Sequence, residues 1–230
     1  MTSLPGQGLP ALCVTLEQQY GIRACPYEAD LSTTENVRKF GEWVNSRFAI
    51  DTLINNAGIG GTQRFQEASS EYIERIIQLN VMAPSLLTHQ LLPNLLQREK
   101  AYILNISSLA AFSPIGYKTV YPGSKAFLRF FSQGLHEELK DTAVSVSVVY
   151  PGPMRTNMDS IQRMQQQGMI ARMASVSPDK VARHCIRRMI RRDPVIRINW
   201  FSLLFLALLP NWLKASLLTS RIKKELAVTK

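Results

Sequence analysis

The chain has 230 residues, 46% hydrophobic and 19% charged, which excludes a disordered polymer and suits one well-buried domain better than two. Its net charge of +10 is unevenly placed: residues 1–150 carry 12 basic and 13 acidic side chains, residues 151–230 carry 15 and 4. Three scattered cysteines, Cys13, Cys25 and Cys185, form no CxxC or Cys/His cluster, so no disulfide framework and no metal site is expected, and the setting is a reduced, intracellular one.

In chain order, residues 9–20 read as the tail of an amphipathic helix that stops at Gly21. Residues 22–29 read as a short strand, followed by Asp30 and Leu31. A helix capped by Thr33 or Thr34 then runs to about Arg47, with Val37, Phe40 and Val44 on one face. Residues 51–58 form a buried strand that breaks into a glycine turn. Two helical stretches follow, 69–79 and 81–96, the second with Pro84 near its start. Residues 101–108 are a strand, a helix runs from Tyr121 to about Lys140, and residues 144–150 are another strand closed by Pro151-Gly152-Pro153. The Met- and Gln-rich stretch 158–175 reads as a loop with some helix. Ser177 and Pro178 then start a further helix. This alternation predicts βαβ units on a parallel α/β sheet.

Ligands bind such sheets at the carboxyl ends of their strands. There the sequence places Asp30, the run Asn55-Asn56-Ala57-Gly58, Ser107-Ser108 and Pro151-Gly152. Tyr121 and Lys125 lie four apart, on one helix face, with Ser108 thirteen residues upstream. Such a trio can exchange a proton with a carbonyl or alcohol oxygen. A phenol titrates near ~10, and a neighbouring ammonium would lower it. Ser108 would donate to the substrate oxygen, and Asn80 could hold a water that relays protons to Lys125. Asn55 is expected to tie strands together and Ser107 to satisfy backbone groups. His89, His136 and His184 sit on helical stretches without metal spacing.

As a set, these residues resemble the short-chain dehydrogenase/reductase family. Asn55-Asn56-Ala57-Gly58 resembles its NNAG, Asn80 its tetrad asparagine, and Ser108, Tyr121 and Lys125 its serine and YxxxK. The run from Pro151 to Thr156 resembles its PG segment. The resemblance covers about residues 10–195. It implies a Rossmann-type doubly wound parallel sheet and an NAD(P)-dependent oxidoreductase interconverting a ketone and a secondary alcohol. Asn80, Ser108, Tyr121 and Lys125 would be its catalytic residues. Asp30 and Leu31 would meet the adenine, and Asn56, Ala57 and Gly58 the adenosine ribose. Tyr121 and Lys125 would hold the nicotinamide ribose over Pro151 and Gly152, with Met154 and Thr156 at the carboxamide. The cofactor would be NADP or NAD, NADP slightly ahead, and a complete chain would be a homo-oligomer, a dimer through four helices.

The sequence departs from the family at its start. No TGxxxGxG segment is present, residues 1–10 match no family element, and Gly6-Gln7-Gly8 has no recognisable strand before it. A sheet lacking the first βαβ unit is therefore expected. Residues 22–29 and 51–56 would then either pair directly or leave open edges. The chain as it stands is expected to bind nicotinamide nucleotide weakly or not at all, which leaves a second reading: a catalytically impaired form acting as an interaction protein.

Residues 1–197 are read as the incomplete domain and 198–230 as an apolar, basic extension. Its uncharged apolar core, 203–209, is too short to span a bilayer, which takes ~20 residues, and Trp200 and Trp212 bracket it. Two readings stay open: a helix docked on the domain or a dimer partner, or a membrane surface met by residues 198–224 with the arginines at 183–192. A membrane surface is favoured over nucleic acid as the partner of the basic residues. An apolar tail suggests a lipophilic substrate of fatty-acyl, steroid or retinoid type, and a place in lipid metabolism.

Overall fold

The computed structural model describes residues 1–152, 177–198 and 209–228. Its centre is a four-stranded parallel sheet of β3 (Thr52–Asn55), β4 (Ala101–Ile106), β5 (Val144–Val149) and β6 (Val195–Ile196), in that order. Each strand is joined to the next by a helical crossover, so each lies beside its sequence neighbour. Register sets Leu53 beside Ile103 and Ile103 beside Val146.

Both faces of the central strands are covered, which explains why all six residues of β5 are buried. Facing one side, Leu53, Ile103 and Val146 pack with Val37, Phe40 and Val44 of α2 (Thr34–Asn45) and with Leu87, Leu91 and Leu95 of α4 (Ala83–Leu96). Leu139 of α5 (Val120–Leu139) closes that core. On the other side, Leu104, Val149 and Ile196 meet Val181, Cys185 and Met189 of α6 (Pro178–Ile190). The period-2 alternation of Ile103 and Leu104 divides the two cores.

Helix ends follow the sequence signals. α1 (Leu9–Tyr20) stops at Gly21, whose φ is 62°. Thr33, Ser69 and Ser177 accept hydrogen bonds from the amides of Asn36, Tyr72 and Lys180 at the starts of α2, α3 (Ser70–Ile77) and α6. The helices on either side of Asn80 are continuous. α3 passes through a π turn, Gln78–Met82, into α4. Pro84 has no N–H for the Asn80 carbonyl one turn back, and the ladder widens there, Ala83 bonding to Gln78.

Two expectations need correction. Of residues 22–29 only Tyr27–Glu28 (β2) is a strand, and it pairs in parallel with Thr2–Ser3 (β1), so a strand does precede the Gly6-Gln7-Gly8 turn. The Tyr27 and Ala29 amides find the Met1 and Ser3 carbonyls at 3.0 and 2.9 Å, and Tyr27 packs on Phe40 and Trp43. A two-residue strand carries no periodicity from which to read it. Of the two outcomes expected for residues 22–29 and 51–56, the open edge is the one found: β2 and β3 lie in separate sheets, and Ile54 of β3 is 45% exposed.

Polar side chains also cross the core. Asn55 Nδ2 donates to Asn105 Oδ1 at 2.8 Å and to Thr88 Oγ1 at 3.1 Å, while Asn105 Nδ2 donates to Ser132 Oγ at 2.8 Å. Asn105 is fully buried, so removing it takes a partner from Asn55 on β3 and from Ser132 on α5. Asn105→Ala is expected to lower stability by about 2–4 kcal/mol. Urea unfolding should show this as a lower midpoint with an unchanged slope.

Candidate active site

At the carboxyl ends of β3, β4 and β5 the chain turns through Asn56-Ala57-Gly58, Ser107-Ser108 and Pro151-Gly152. α5 begins beside them and carries Tyr121 on its first turn and Lys125 on its second. The position of α5 is fixed by hydrogen bonds to β4: Ser107 Oγ donates to the Lys125 carbonyl at 2.8 Å, and Lys125 Nζ donates to the Ile106 carbonyl at 2.9 Å. Ser107 thus satisfies a backbone group, as its sequence position suggests.

Ser108 caps a short 3-10 turn, Leu109–Phe112, where its Oγ accepts from the Ala110 amide at 3.1 Å. The same hydroxyl lies beside the Tyr121 phenol. Burial pushes the phenol above its ordinary value, and the Ser108 contact partly offsets this. Burial also pulls the Lys125 ammonium down to about 8. The expected lowering of the phenol by Lys125 is not seen, because the ammonium is turned to the Ile106 carbonyl. Near neutral pH, Tyr121 is therefore a neutral acid beside a charged lysine.

Asn80 lies within reach of this group, but its side chain is committed elsewhere. Its Oδ1 accepts from the Ile59 amide at 2.9 Å, and its Nδ2 donates to the Ile59 carbonyl at 2.8 Å and to Ser124 Oγ at 2.9 Å. Ser124 in turn donates to the Tyr121 carbonyl at 2.8 Å. Sequence reasoning passed over Ser124, although three residues after Tyr121 it shares a helix face with it. Gly58 fits where no side chain would. A Cβ there would lie 3.1 Å from both Lys125 Nζ and Asn80 Oδ1, so the Gly58 backbone, the ammonium and the Asn80 amide converge.

The residues implied for a nucleotide fare unequally. Asn56, Ala57 and Gly58 are exposed at the sheet edge. Asp30 Oδ1 is occupied by the Ser32 amide and hydroxyl at 2.9 and 2.7 Å. Burial raises the Asp30 carboxyl, but the Ser32 bonds and the Arg75 guanidinium bring it below its ordinary value. The Leu31 side chain is packed in the core with Val37 and Phe40, so only its backbone is left to meet an adenine. Pro151 is buried and its carbonyl accepts from the Leu109 amide at 3.1 Å; Gly152 is half-buried beside it. Met154 and Thr156 lie outside the described residues, as do the stretch 158–175 and Trp200. Among the described residues no group of His, Cys, Asp or Glu could hold a metal ion.

These residues suit the nicotinamide half of a dinucleotide. Tyr121 and Lys125 lie at the sheet edge where a sugar could be held, and the exposed backbone at Gly58 leaves room for close approach nearby. The phosphate half has less to offer: the Gly6 amide donates to the Glu28 carboxylate at 3.2 Å, so an anion of the chain's own already sits at that turn.

The sequence profile of the short chain dehydrogenase family matches residues 6–167, and the chain belongs to that family. It is 33% identical over 152 residues to a very-long-chain 3-oxoacyl-CoA reductase of Anas platyrhynchos, covering 64% of this chain and 49% of the relative. It is 30% identical over 189 residues to the 3-oxoacyl-[acyl-carrier-protein] reductase FabG of Aquifex aeolicus (strain VF5), covering 79% and 75%. A short-chain dehydrogenase from Sphingobium yanoikuyae, solved in complex with NADPH, superposes with a TM-score of 0.74 at 27% identity, covering 85% of this chain and 76% of that one. The chain spans about half the length of several curated relatives it matches.

The lysine gives a direct test. Between about pH 8 and 10.5 the unfolded chain still binds the Lys125 proton that the folded chain has released, so stability rises with pH across that window. Lys125→Met abolishes this dependence. The parent should gain on the variant by about 1.4 kcal/mol per pH unit within the window, read from urea midpoints. A constant difference from pH 7 to 10.5 would contradict a buried ammonium.

Proposed function

We propose that this site interconverts a ketone and a secondary alcohol with NADP or NAD, on a lipophilic substrate of the 3-oxoacyl type. The observation that carries the reading is the Lys125 ammonium buried one helical turn from Tyr121 and bonded to the Ile106 carbonyl, with the Ser108 hydroxyl beside the phenol. Ser108 Oγ donates to the substrate oxygen and orients it. Tyr121 gives its phenolic proton to that oxygen as negative charge builds there. Lys125, charged below about pH 8 and held by the Ile106 carbonyl, would support the nicotinamide ribose beside the phenol. The nicotinamide, when bound, supplies the hydride that completes the reduction. In the alcohol-oxidising direction the phenolate takes the proton back.

Burial keeps the phenol protonated near neutral pH, the form that has a proton to give, which suits the reducing direction. The substrate class is supported by relatives named as 3-oxoacyl reductases, in one case acting on CoA thioesters and in another on acyl-carrier-protein thioesters. The cofactor is supported by the NADPH bound to a relative of the same fold.

NADPH oxidation dependent on a 3-oxoacyl thioester is the test. Tyr121→Phe keeps the ring and loses the proton, and is expected to lower kcat/KM by about 10³-fold. Turnover equal to that of the parent would overturn the assignment. No turnover together with no calorimetric binding of NADPH or NADH would favour the other reading, an interaction protein built on the same fold.

A further inference from the structure

Ser108 and Tyr121 are joined by a loop, and that loop is held from outside at several points. Its Phe112 ring stands edge-on to Tyr150, centroids 4.8 Å apart, with the Arg129 guanidinium over the ring, 4.0 Å from its centroid. The Tyr117 carbonyl accepts from the Gln63 amide at 2.7 Å. Tyr117 itself has φ of 63°, a conformation that a bulky residue keeps only where its surroundings impose it. The loop is therefore strained, and its shape depends on what grips it.

Two of those grips come from the far end of the chain. Lys214 Nζ, on α7 (Asn211–Val228), donates to the Phe112 carbonyl at 2.9 Å. Thr219 Oγ1 accepts from the Gly116 amide at 2.8 Å. The approach is close: a Cβ on Gly116 would lie 2.6 Å from the Thr219 methyl. Lys214 is only 6% exposed, an unusual place for an ammonium on a terminal helix. Ile222 is buried one turn beyond Thr219, whereas Trp212 and Leu217 face outward at 73% and 55% exposure. The inward stripe of α7 thus lies on this loop.

We propose that Lys214 and Thr219 are positioning residues of the proton-transfer site, holding the loop that sets Ser108 against Tyr121. The inference rests on the oxidoreductase reading for its consequence in turnover, but not for its mechanical part. A charge-assisted bond to the carbonyl of Phe112 fixes the end of the turn that Ser108 caps. The Thr219 bond fixes the loop next to the strained Tyr117, four residues before the acid. A small displacement of either partner moves the Ser108 hydroxyl relative to the Tyr121 phenol, and with it both the proton donor and the orientation of the substrate oxygen.

The test uses the full chain with Lys214→Met and Thr219→Val, each keeping side-chain bulk, and Leu217→Ser on the outward face as a control. Tyrosine ring carbons are labelled and Tyr121 is assigned through Tyr121→Phe. Both loop variants should speed exchange of the Gly116 amide about 10-fold or more while leaving the amides of β4 and β5 unchanged. They should also shift the Tyr121 resonance and raise its titration point, since the Ser108 hydroxyl that lowers it is moved away. With a 3-oxoacyl thioester, kcat/KM should fall about 10-fold, mostly through kcat, and Lys214→Arg and Thr219→Ser should recover part of it. Leu217→Ser should change none of these. An unmoved Tyr121 resonance in both variants, with or without faster loop exchange, would overturn the proposal. Because that resonance is read without substrate, the outcome is separate from whether the chain turns over a carbonyl at all.

Discussion

The structure turns on the seam between β4 and α5, where three polar links cross a dry interface. Asn105 reaches Ser132, Ser107 reaches the Lys125 carbonyl, and Lys125 Nζ reaches the Ile106 carbonyl. Each would be costly to leave unmade in a buried setting, so together they allow one register of helix on strand. Apolar packing alone would tolerate a shift along α5, and a shift of one turn would carry Tyr121 away from Ser108. Asn55 extends the network from Asn105 to Thr88 of α4, so the helix after Asn80 is tied into the same set of bonds. Site geometry is thus a consequence of how the core was made specific.

Burial moves the two titrating residues in opposite directions, the phenol up and the ammonium down. Burial leaves each charged form, phenolate and ammonium, poorly solvated. The resting site therefore stores a proton on Tyr121. Substrate oxygen and a bound cationic ring would each change that balance locally, which is why the acid needs to be strong only when something occupies the site.

Much of this was readable from the residues because period and caps agree. The strands around 52–55, 101–106 and 144–149, the ends at Gly21, Ser69 and Ser177, and the Tyr121–Lys125 face all follow from local pattern. What was not readable depends on tertiary partners. Thr2–Ser3 is a strand because Tyr27–Glu28 is there to pair with it. Leu31 follows Asp30 at the ligand edge but packs inward with α2. Ser124 looks like an ordinary helix serine until Asn80 is seen to donate to it. The Asn80 side chain is held by Ile59, a residue that only the turn after β3 brings near.

Charge shows the same limit most clearly. The excess in residues 151–230 reads as one basic region, and the fold divides its described members between two ends of the sheet. Arg192 donates to the Ala143 carbonyl, just before β5 begins, and Arg187 and Arg191 are exposed near the same end of α6. Lys214 donates to Phe112, in the turn after β4 ends. A six-residue strand separates those levels by about 20 Å, twice a Debye length at ~0.1 M salt. The two clusters therefore act as independent features. Among the described residues no helix is long and apolar enough to cross a membrane. Lys214 is withdrawn from the surface: its ammonium is directed to the Phe112 carbonyl, on the loop between Ser108 and Tyr121. A count of charges along the chain records that lysine as part of a patch; the fold sets it against that loop.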